Sequence, residues 1–253
     1  MSHPASIAII IPTLNEGKTL GRTLERLPQG LTLEVIVADG GSTDETCTLA
    51  QGQGAQVVVA TGGRGAQLNQ GAAVAQGEIL IFLHADTQLP PNFEALVRQT
   101  LAQPGVVAGA FDLAIDGSGW GLRWVEWGVK WRSRWLRLPY GDQALFLTAE
   151  RFHHMGGFAK LPIMEDFDLV QRLNRQGRVA MVPVPVTTSS RRWQRLGVWR
   201  TTLVNQTMVA GYLLGLDVQH LAHWYRRLGQ SPRKQAVSLP PDHLPMDHSN
   251  SRK

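Results

Sequence analysis

The sequence predicts an α/β fold, with a mostly parallel central sheet flanked by helices and a helical C-terminal extension. Three observations carry this expectation. Short apolar runs alternate with helical segments over the first hundred residues, the pattern that right-handed βαβ crossovers require. Each run gives way to Gly, Asp, Asn or Thr, so turn chemistry falls at the strand ends. With 253 residues, 43% hydrophobic and 18% charged, the chain can bury a large core and is too apolar to stay unfolded.

Taken in order, Ser6–Ile11 reads as a strand, and Glu16–Leu27 as a helix with Leu20, Leu24 and Leu27 on one face. Leu33–Ala38 is the second strand. A helix then begins over Asp44–Gln51, with Ser42 or Thr43 as its cap. Strand Gln56–Ala60, helix Gly65–Ala75 and strand Glu78–Leu83 follow. Helix Pro91–Ala102 opens on a proline, whose missing N–H costs nothing in a first turn. Beyond it, Val106–Ile115, Gln143–Thr148 and Arg178–Val182 read as strands and Asp166–Arg175 as a helix. Val198–Leu216 and Val218–Leu228 read as two more helices. From Gln230 the chain loses periodicity, and a disordered tail is expected over 230–253.

A formal charge of +5 and a pI near 9.8 imply anionic partners: phosphorylated small molecules, lipid headgroups or nucleic acid. The single cysteine, Cys47, excludes an intrachain disulfide and a thiolate metal cluster, and favours a cytoplasmic setting. No basic stretch followed by an apolar core opens the chain, so no signal peptide is expected. No apolar run reaches the roughly 18 residues of a spanning helix.

The chemistry-bearing residues gather at the predicted strand ends. The first strand leads into Pro12-Thr13-Leu14-Asn15-Glu16, the second into Asp39-Gly40-Gly41-Ser42-Thr43-Asp44, and the third into Gly62-Gly63-Arg64-Gly65. The fourth, a buried run, delivers His84-Ala85-Asp86. Ligands bind outside the carboxyl edge of such sheets, and a carboxylate there can hold a divalent cation that neutralises a diphosphate. One strand-end Asp or Gly is ordinary turn chemistry. Four in order on one edge point to a ligand site.

Ile10-Ile11-Pro12-Thr13-Leu14-Asn15-Glu16, Val37-Ala38-Asp39-Gly40-Gly41-Ser42-Thr43-Asp44 and His84-Ala85-Asp86 resemble the signatures of family 2 glycosyltransferases, which have a GT-A fold. The similarity covers roughly residues 5–190. Within the family, His84-Ala85-Asp86-Thr87, Gly141-Asp142-Gln143 and Met164-Glu165-Asp166 resemble transferases associated with radical-SAM and selenium- or arsenic-handling clusters. The resemblance implies one domain over 1–229: a nucleotide-binding half (5–105), an acceptor side (106–190) and a helical extension (191–229). It implies that Pro12, Thr13, Asn15 and Glu16 border the nucleoside, that Asp39 binds uracil, and that Arg64 sits near base or phosphate. Ala85 and Asp86 would meet the donor, with Asp86 holding Mn²⁺ or Mg²⁺. Many relatives have Asp-X-Asp where this chain has His84-Ala85-Asp86, so His84 is either a second metal ligand or a group that orients Asp86.

Glu165-Asp166 follows the Gly156-Gly157-Phe158 turn, and Asp168 lies two residues on. By resemblance Asp166 is the base that deprotonates an acceptor, with inversion at the sugar and Glu165 beside it. Carboxylates also favour a helix first turn without any chemistry. Asp168 is expected to point away into solvent. Asp142 and Gln143 are candidates for the donor sugar or acceptor. Arg191-Arg192-Trp193 looks like a reduced Gln-X-X-Arg-Trp element, with Arg192 implied at the diphosphate and Trp193 at the acceptor wall; no Gln stands three residues before Arg192.

Trp120, Trp124, Trp127, Trp131 and Trp135 recur every three or four residues and share one helical arc over 120–137. Leu122, Val125, Val129 and Leu136 supply another face, and Arg123, Lys130, Arg134 and Arg137 a flank. An indole stripe beside cations suits core, a dimer contact, a sugar wall or a bilayer interface. The expected partners are a nucleoside diphosphate sugar, UDP-linked by family resemblance, an acceptor that is small or lipid-like, and a membrane surface touched from the inner face; nucleic acid is not expected. A sugar nucleotidyltransferase and a non-catalytic membrane- or nucleic-acid-binding module are the competing classes. The first normally carries a Gly-rich basic loop where this chain has Pro12–Glu16, and the second leaves the four strand ends without a purpose.

Overall fold

A computed structural model describes residues 4–28 and 33–228; the expected tail lies outside them. One eight-stranded mixed sheet spans these residues, in the order β3-β2-β1-β4-β7-β6-β8-β5. Strands β1 (Ile7–Thr13), β2 (Leu33–Asp39), β3 (Gln56–Val59) and β4 (Ile79–Phe82) are parallel. Between them run α1 (Gly17–Glu25), α2 (Thr46–Gly52) and α3 (Arg64–Val74). The central strands β1 and β4 are buried on both faces, so they are apolar throughout rather than alternating, whereas β3 at the sheet edge is partly exposed. Ile7, Ile9 and Ile11 of β1 join a core that includes Leu20 of α1, while Ala8 and Ile10 join the opposite core, under Leu68 and Ala72 of α3. Gly71 lets α3 approach: a Cβ there would lie 2.5 Å from Ile10 Cγ2.

The second half reverses direction. After β5 (Thr87–Gln88), α4 (Phe93–Leu101), β6 (Val106–Asp116) and α5 (Trp120–Trp135), a 3₁₀ turn at Gly141–Gln143 leads into β7 (Leu145–Thr148). β7 inserts antiparallel between β4 and β6. Helices α6 (Ala149–His154) and α7 (Glu165–Asn174) precede β8 (Arg178–Ser189), which runs parallel to β6. Helices α8 (Arg191–Leu196), α9 (Val198–Leu213) and α10 (Val218–Leu228) close the described chain.

Several expectations need correction. The strand expected at Arg178–Val182 continues to Ser189. Pro183 and Pro185 mask it in the sequence, but the register slips between Phe111 and Asp112, opposite Val182 and Pro185, and a bulge tolerates proline. Gln143 is in the 3₁₀ turn, not in the strand. Neither Ser42 nor Thr43 caps α2: Ser42 turns to Asp39, and Asp44 Oδ1 accepts the Thr46 N–H at 3.1 Å. Pro91 precedes the α4 N-cap, Asn92, instead of opening the helix. Helices α6 and α8 and the two-residue β5 escaped sequence reading because each is too short to show a period.

Candidate active site

The ends of β1 and β2 are paired in register, Thr13 against Asp39. Asp39 is 1% exposed and has both carboxylate oxygens engaged by its own loop and by the end of β1. Thr13 Oγ1 donates at 3.0 Å, the Gly41 and Ser42 N–H groups at 2.8 and 2.7 Å, and Ser42 Oγ completes the set. Burial alone raises a carboxyl pKa, yet these hydrogen bonds, led by Ser42, hold Asp39 below its ordinary value. Asn15, at φ 55°, donates its N–H to Ser42 Oγ at 2.8 Å and accepts from the Thr43 N–H at 2.9 Å. Two loops distant in sequence are thereby knit into one rim.

Two hollows meet at this rim. One, of about 270 Å³, is lined by Pro12, Thr13, Glu16 and Ala85 among others. The other, of about 420 Å³, is lined by Tyr140, Asp142, Glu165, Asp166, Arg192 and Trp193 among others. Arg64, His84 and Asp86 line both. Arg64 opens α3, its guanidinium against His84 Nε2 and its Nε 3.6 Å from Glu165 Oε1. Burial, then the charges of Arg64 and Arg192, keep the His84 pKa well below the imidazole norm. A neutral His84 thus accepts from Arg64 at Nε2, which assigns its proton to Nδ1 and engages the lone pair that a metal would use. Asp86 Oδ2 and Glu16 Oε2 converge on one nitrogen of Arg191, at 3.1 and 3.0 Å. Two carboxylates aimed at one cation fit a divalent ion held by one or two protein oxygens plus phosphates and water. Among the described residues no three His, Cys, Asp or Glu side chains cluster as a metal cage.

Across the larger hollow, α7 presents its first turn, where the helix dipole favours carboxylates. Met164, at φ 68°, precedes it in the left-handed region, a conformation that costs a non-glycine residue energy and recurs at functional sites. Asp166 Oδ2 accepts the Gly141 N–H at 2.7 Å. A Cβ on Gly141 would lie 2.7 Å from the Arg64 guanidinium and 2.9 Å from Asp166 Oδ2, so only glycine lets these groups meet. Glu165 is 6% exposed, and burial raises its pKa against the pull of Arg64. Burial also raises Asp142, whose Oδ1 is enclosed without a hydrogen-bond partner.

The model of the Glycosyl transferase family 2 domain matches residues 8–161. The chain belongs to this family. An uncharacterized glycosyltransferase of Mycobacterium tuberculosis is 35% identical over 154 residues, 58% of this chain and 68% of the relative. Among solved structures, a mannosyltransferase from Pyrobaculum calidifontis, in complex with GDP-Man and Mn²⁺, superposes with a TM-score of 0.64 at 19% identity. That match covers 94% of this chain and 78% of the other. Glucosyl-3-phosphoglycerate synthase of M. tuberculosis, with Mn²⁺, UDP and glucosyl-3-phosphoglycerate, gives 0.54 at 20% identity, covering 84% and 81%. These likenesses show a shared fold, the GT-A type expected from the sequence.

Within this glycosyltransferase, Thr13, Glu16, Arg64, Ala85, Asp86, Asp142, Glu165, Asp166, Arg192 and Trp193 all border the two hollows. Gln143 does not. It is fully buried, takes Ser133 Oγ at 2.8 Å, and donates to Phe111 O at 2.9 Å, bracing α5 against β6. Asp168 is not free in solvent either: it pairs with Arg172 at 2.8 Å and accepts from Tyr212. Arg192 reaches Asn205 Oδ1 at 3.0 Å and lies over the Tyr225 ring, whereas its neighbour Arg191 meets Asp86. Sequence reading also missed Gln67 and Asn69. Gln67 donates to Thr13 O and Ala38 O at 2.7 and 3.0 Å, bracing the ends of β1 and β2. Asn69 clasps Phe158 through its N–H and carbonyl, both at 2.9 Å. The cluster Gln67, Asn69 and Gln70 in a helix whose other residues beyond Arg64 are small or apolar was the available signal.

Proposed function

We propose that this chain is an inverting, divalent-cation-assisted glycosyltransferase that uses a nucleoside diphosphate sugar, with Asp166 as its general base. The single observation that carries the reading is the pair of hollows joined at Arg64, His84 and Asp86, with acceptor-side carboxylates facing that junction. Support for a UDP-type donor comes from the glucosyl-3-phosphoglycerate synthase with UDP and Mn²⁺, a structure of the same fold.

In this account the nucleoside lies in the smaller hollow, against the loop that Asp39, Asn15 and Gln67 hold in shape. Asp39 acts by organising that loop, since its oxygens are already engaged. The diphosphate spans the junction, where Arg64 offers a cation fixed at a helix N-terminus. A divalent ion held by Asp86, with Glu16 beside it, would stabilise charge on the departing diphosphate. Arg191 occupies that position as a counter-ion and must yield or share it. His84, neutral, receives a hydrogen bond from Arg64 and keeps the guanidinium aimed. Asp166 accepts the Gly141 N–H at Oδ2 and the Phe167 N–H at Oδ1, which orients the carboxylate while each oxygen keeps a second lone pair to take a proton from an acceptor hydroxyl. Glu165, with its raised pKa, pairs with Arg64 and leaves Asp166 as the open base.

The test is a panel of nucleotide sugars incubated with the protein and Mn²⁺, read as metal-dependent release of the nucleoside diphosphate. One UDP-sugar is expected to stand out. Asp166→Asn should then lower turnover by about 10²–10⁴-fold with UDP affinity unchanged, because asparagine still accepts from Gly141. Full turnover in that variant would remove Asp166 from the mechanism.

A further inference from the structure

The indole stripe on α5 is not core. Trp120, Trp124, Trp127, Trp131 and Trp135 are between 51% and 75% exposed, while Leu122 is buried and Val125 and Val129 pack inward. Trp199 of α9 extends the ridge, its ring 5.8 Å from that of Trp120, and Leu203, one turn on, is 69% exposed. Half-exposed indoles in this number present on the order of 600 Å² of apolar surface, at or beyond the largest patch of an ordinary monomer.

The charge around the ridge selects its occupant. Between Ser118 and Gly141 the only acid is Glu126, against five Arg and Lys residues. Glu126 is turned inward, accepting from the Ile115 N–H at 2.6 Å and from Arg123. Lys130 and Arg134 share a single carboxylate, Asp112, and so keep a net positive flank. From Arg191 to Leu216 there is no acid at all. A second copy of this chain would bring the same cations with no acidic counterpart, and the ridge falls short of the ~800 Å² per partner of a stable interface. An anionic bilayer matches both parts: indoles half-sunk at the interface and cations among the phosphates.

We propose that the α5–α9 face docks this protein on an anionic lipid bilayer. No helix among the described residues is long and apolar enough to cross a membrane, so the contact is in the plane of the interface. A groove of about 350 Å³ between α5 and α9, floored by Val125 and Val129, shares Tyr140, Asp142, Trp193 and Asn205 with the larger hollow of the active site. Docking therefore seats the mouth of the site at headgroup depth. Resting on the transferase reading above, the acceptor is an amphiphile whose polar head meets Asp166 while its tail lies along the groove.

The test is flotation with vesicles of phosphatidylcholine alone or with about one-third phosphatidylglycerol, using the full chain. Wild type is expected to float with the anionic vesicles and to be released by high salt. Its tryptophan emission should shift blue and be quenched by brominated acyl chains. Trp127 and Trp135 border neither the groove nor the active-site hollows, so Trp127→Ser with Trp135→Ser should weaken partition at least about tenfold while UDP–Mn²⁺ affinity and the melting curve are unchanged. If that variant is poorly folded, bromolipid quenching of the wild type decides. Absence of flotation, equal flotation by the variant, or a wild-type dimer that the variant dissolves without any vesicle binding would each overturn the proposal. Flotation with no UDP binding by either protein would uphold docking and overturn the transferase reading instead.

Discussion

Asp39 joins near-complete burial to four internal hydrogen bonds, and the balance decides its charge. Its folded-state pKa lies below the ordinary 3.8, so the carboxylate stabilises the fold above that pH, and the contribution is lost as pH falls through the folded value. Asp39→Asn keeps one acceptor oxygen for the Gly41 and Ser42 N–H groups but sets an amide N–H₂ where the Thr13 and Ser42 hydroxyls donate, and removes the charge. It should cost about 1–3 kcal/mol at neutral pH, with the gap to wild type closing as pH drops below 3.8. Urea melts of both proteins across that range check it, and a gap independent of pH would show that the charge plays no part. Asp39 and Asp86 were legible as strand-end residues and Asp166 by resemblance, and the structure sets Asp86 and Asp166 on the larger hollow and Asp39 beneath its rim. Gln67 and Arg191 were not. Each acts through a partner more than fifty residues away, which no local spacing reports.

At the scale of elements, the parallel half was legible and the other half only in outline. β1, β2 and β4 are continuous apolar runs because both faces are covered, and such runs announce themselves. β8 hid behind Pro183 and Pro185, whose bulge lets the strand resume and carry Ser189 to Asp86 O at 3.2 Å. That extension is what brings Arg191 to Asp86 and Glu16. Gln143 does equivalent work for α5, with Ser133, Tyr140 and Phe111 all bonded to one side-chain amide. Gln143→Ala strands several buried polar groups and should lower stability by about 2–3 kcal/mol, read as a fall in melting temperature. UDP–Mn²⁺ affinity should survive, since no residue of α5 lines either hollow at the Arg64, His84 and Asp86 junction. Loss of nucleotide binding in a folded Gln143→Ala protein would show that the two halves do not act separately.

Across the whole molecule, one sheet carries both halves of the site. Its four parallel strands frame the rim around the smaller hollow, and the antiparallel insertion of β7 swings the Gly141 turn and α7 to face it. The positive charge read from composition concentrates along α5 and from α8 into α9, the face of the proposed bilayer contact. The central claim is that the junction of Arg64, His84 and Asp86 holds a diphosphate with a cation. Titration calorimetry of UDP into wild type and Asp86→Ala, each with Mn²⁺ and with chelator, tests it most directly. Wild type should bind UDP only weakly without Mn²⁺, and Asp86→Ala should lose at least about tenfold of the metal-dependent affinity. Equal UDP affinity in all four titrations would contradict the account.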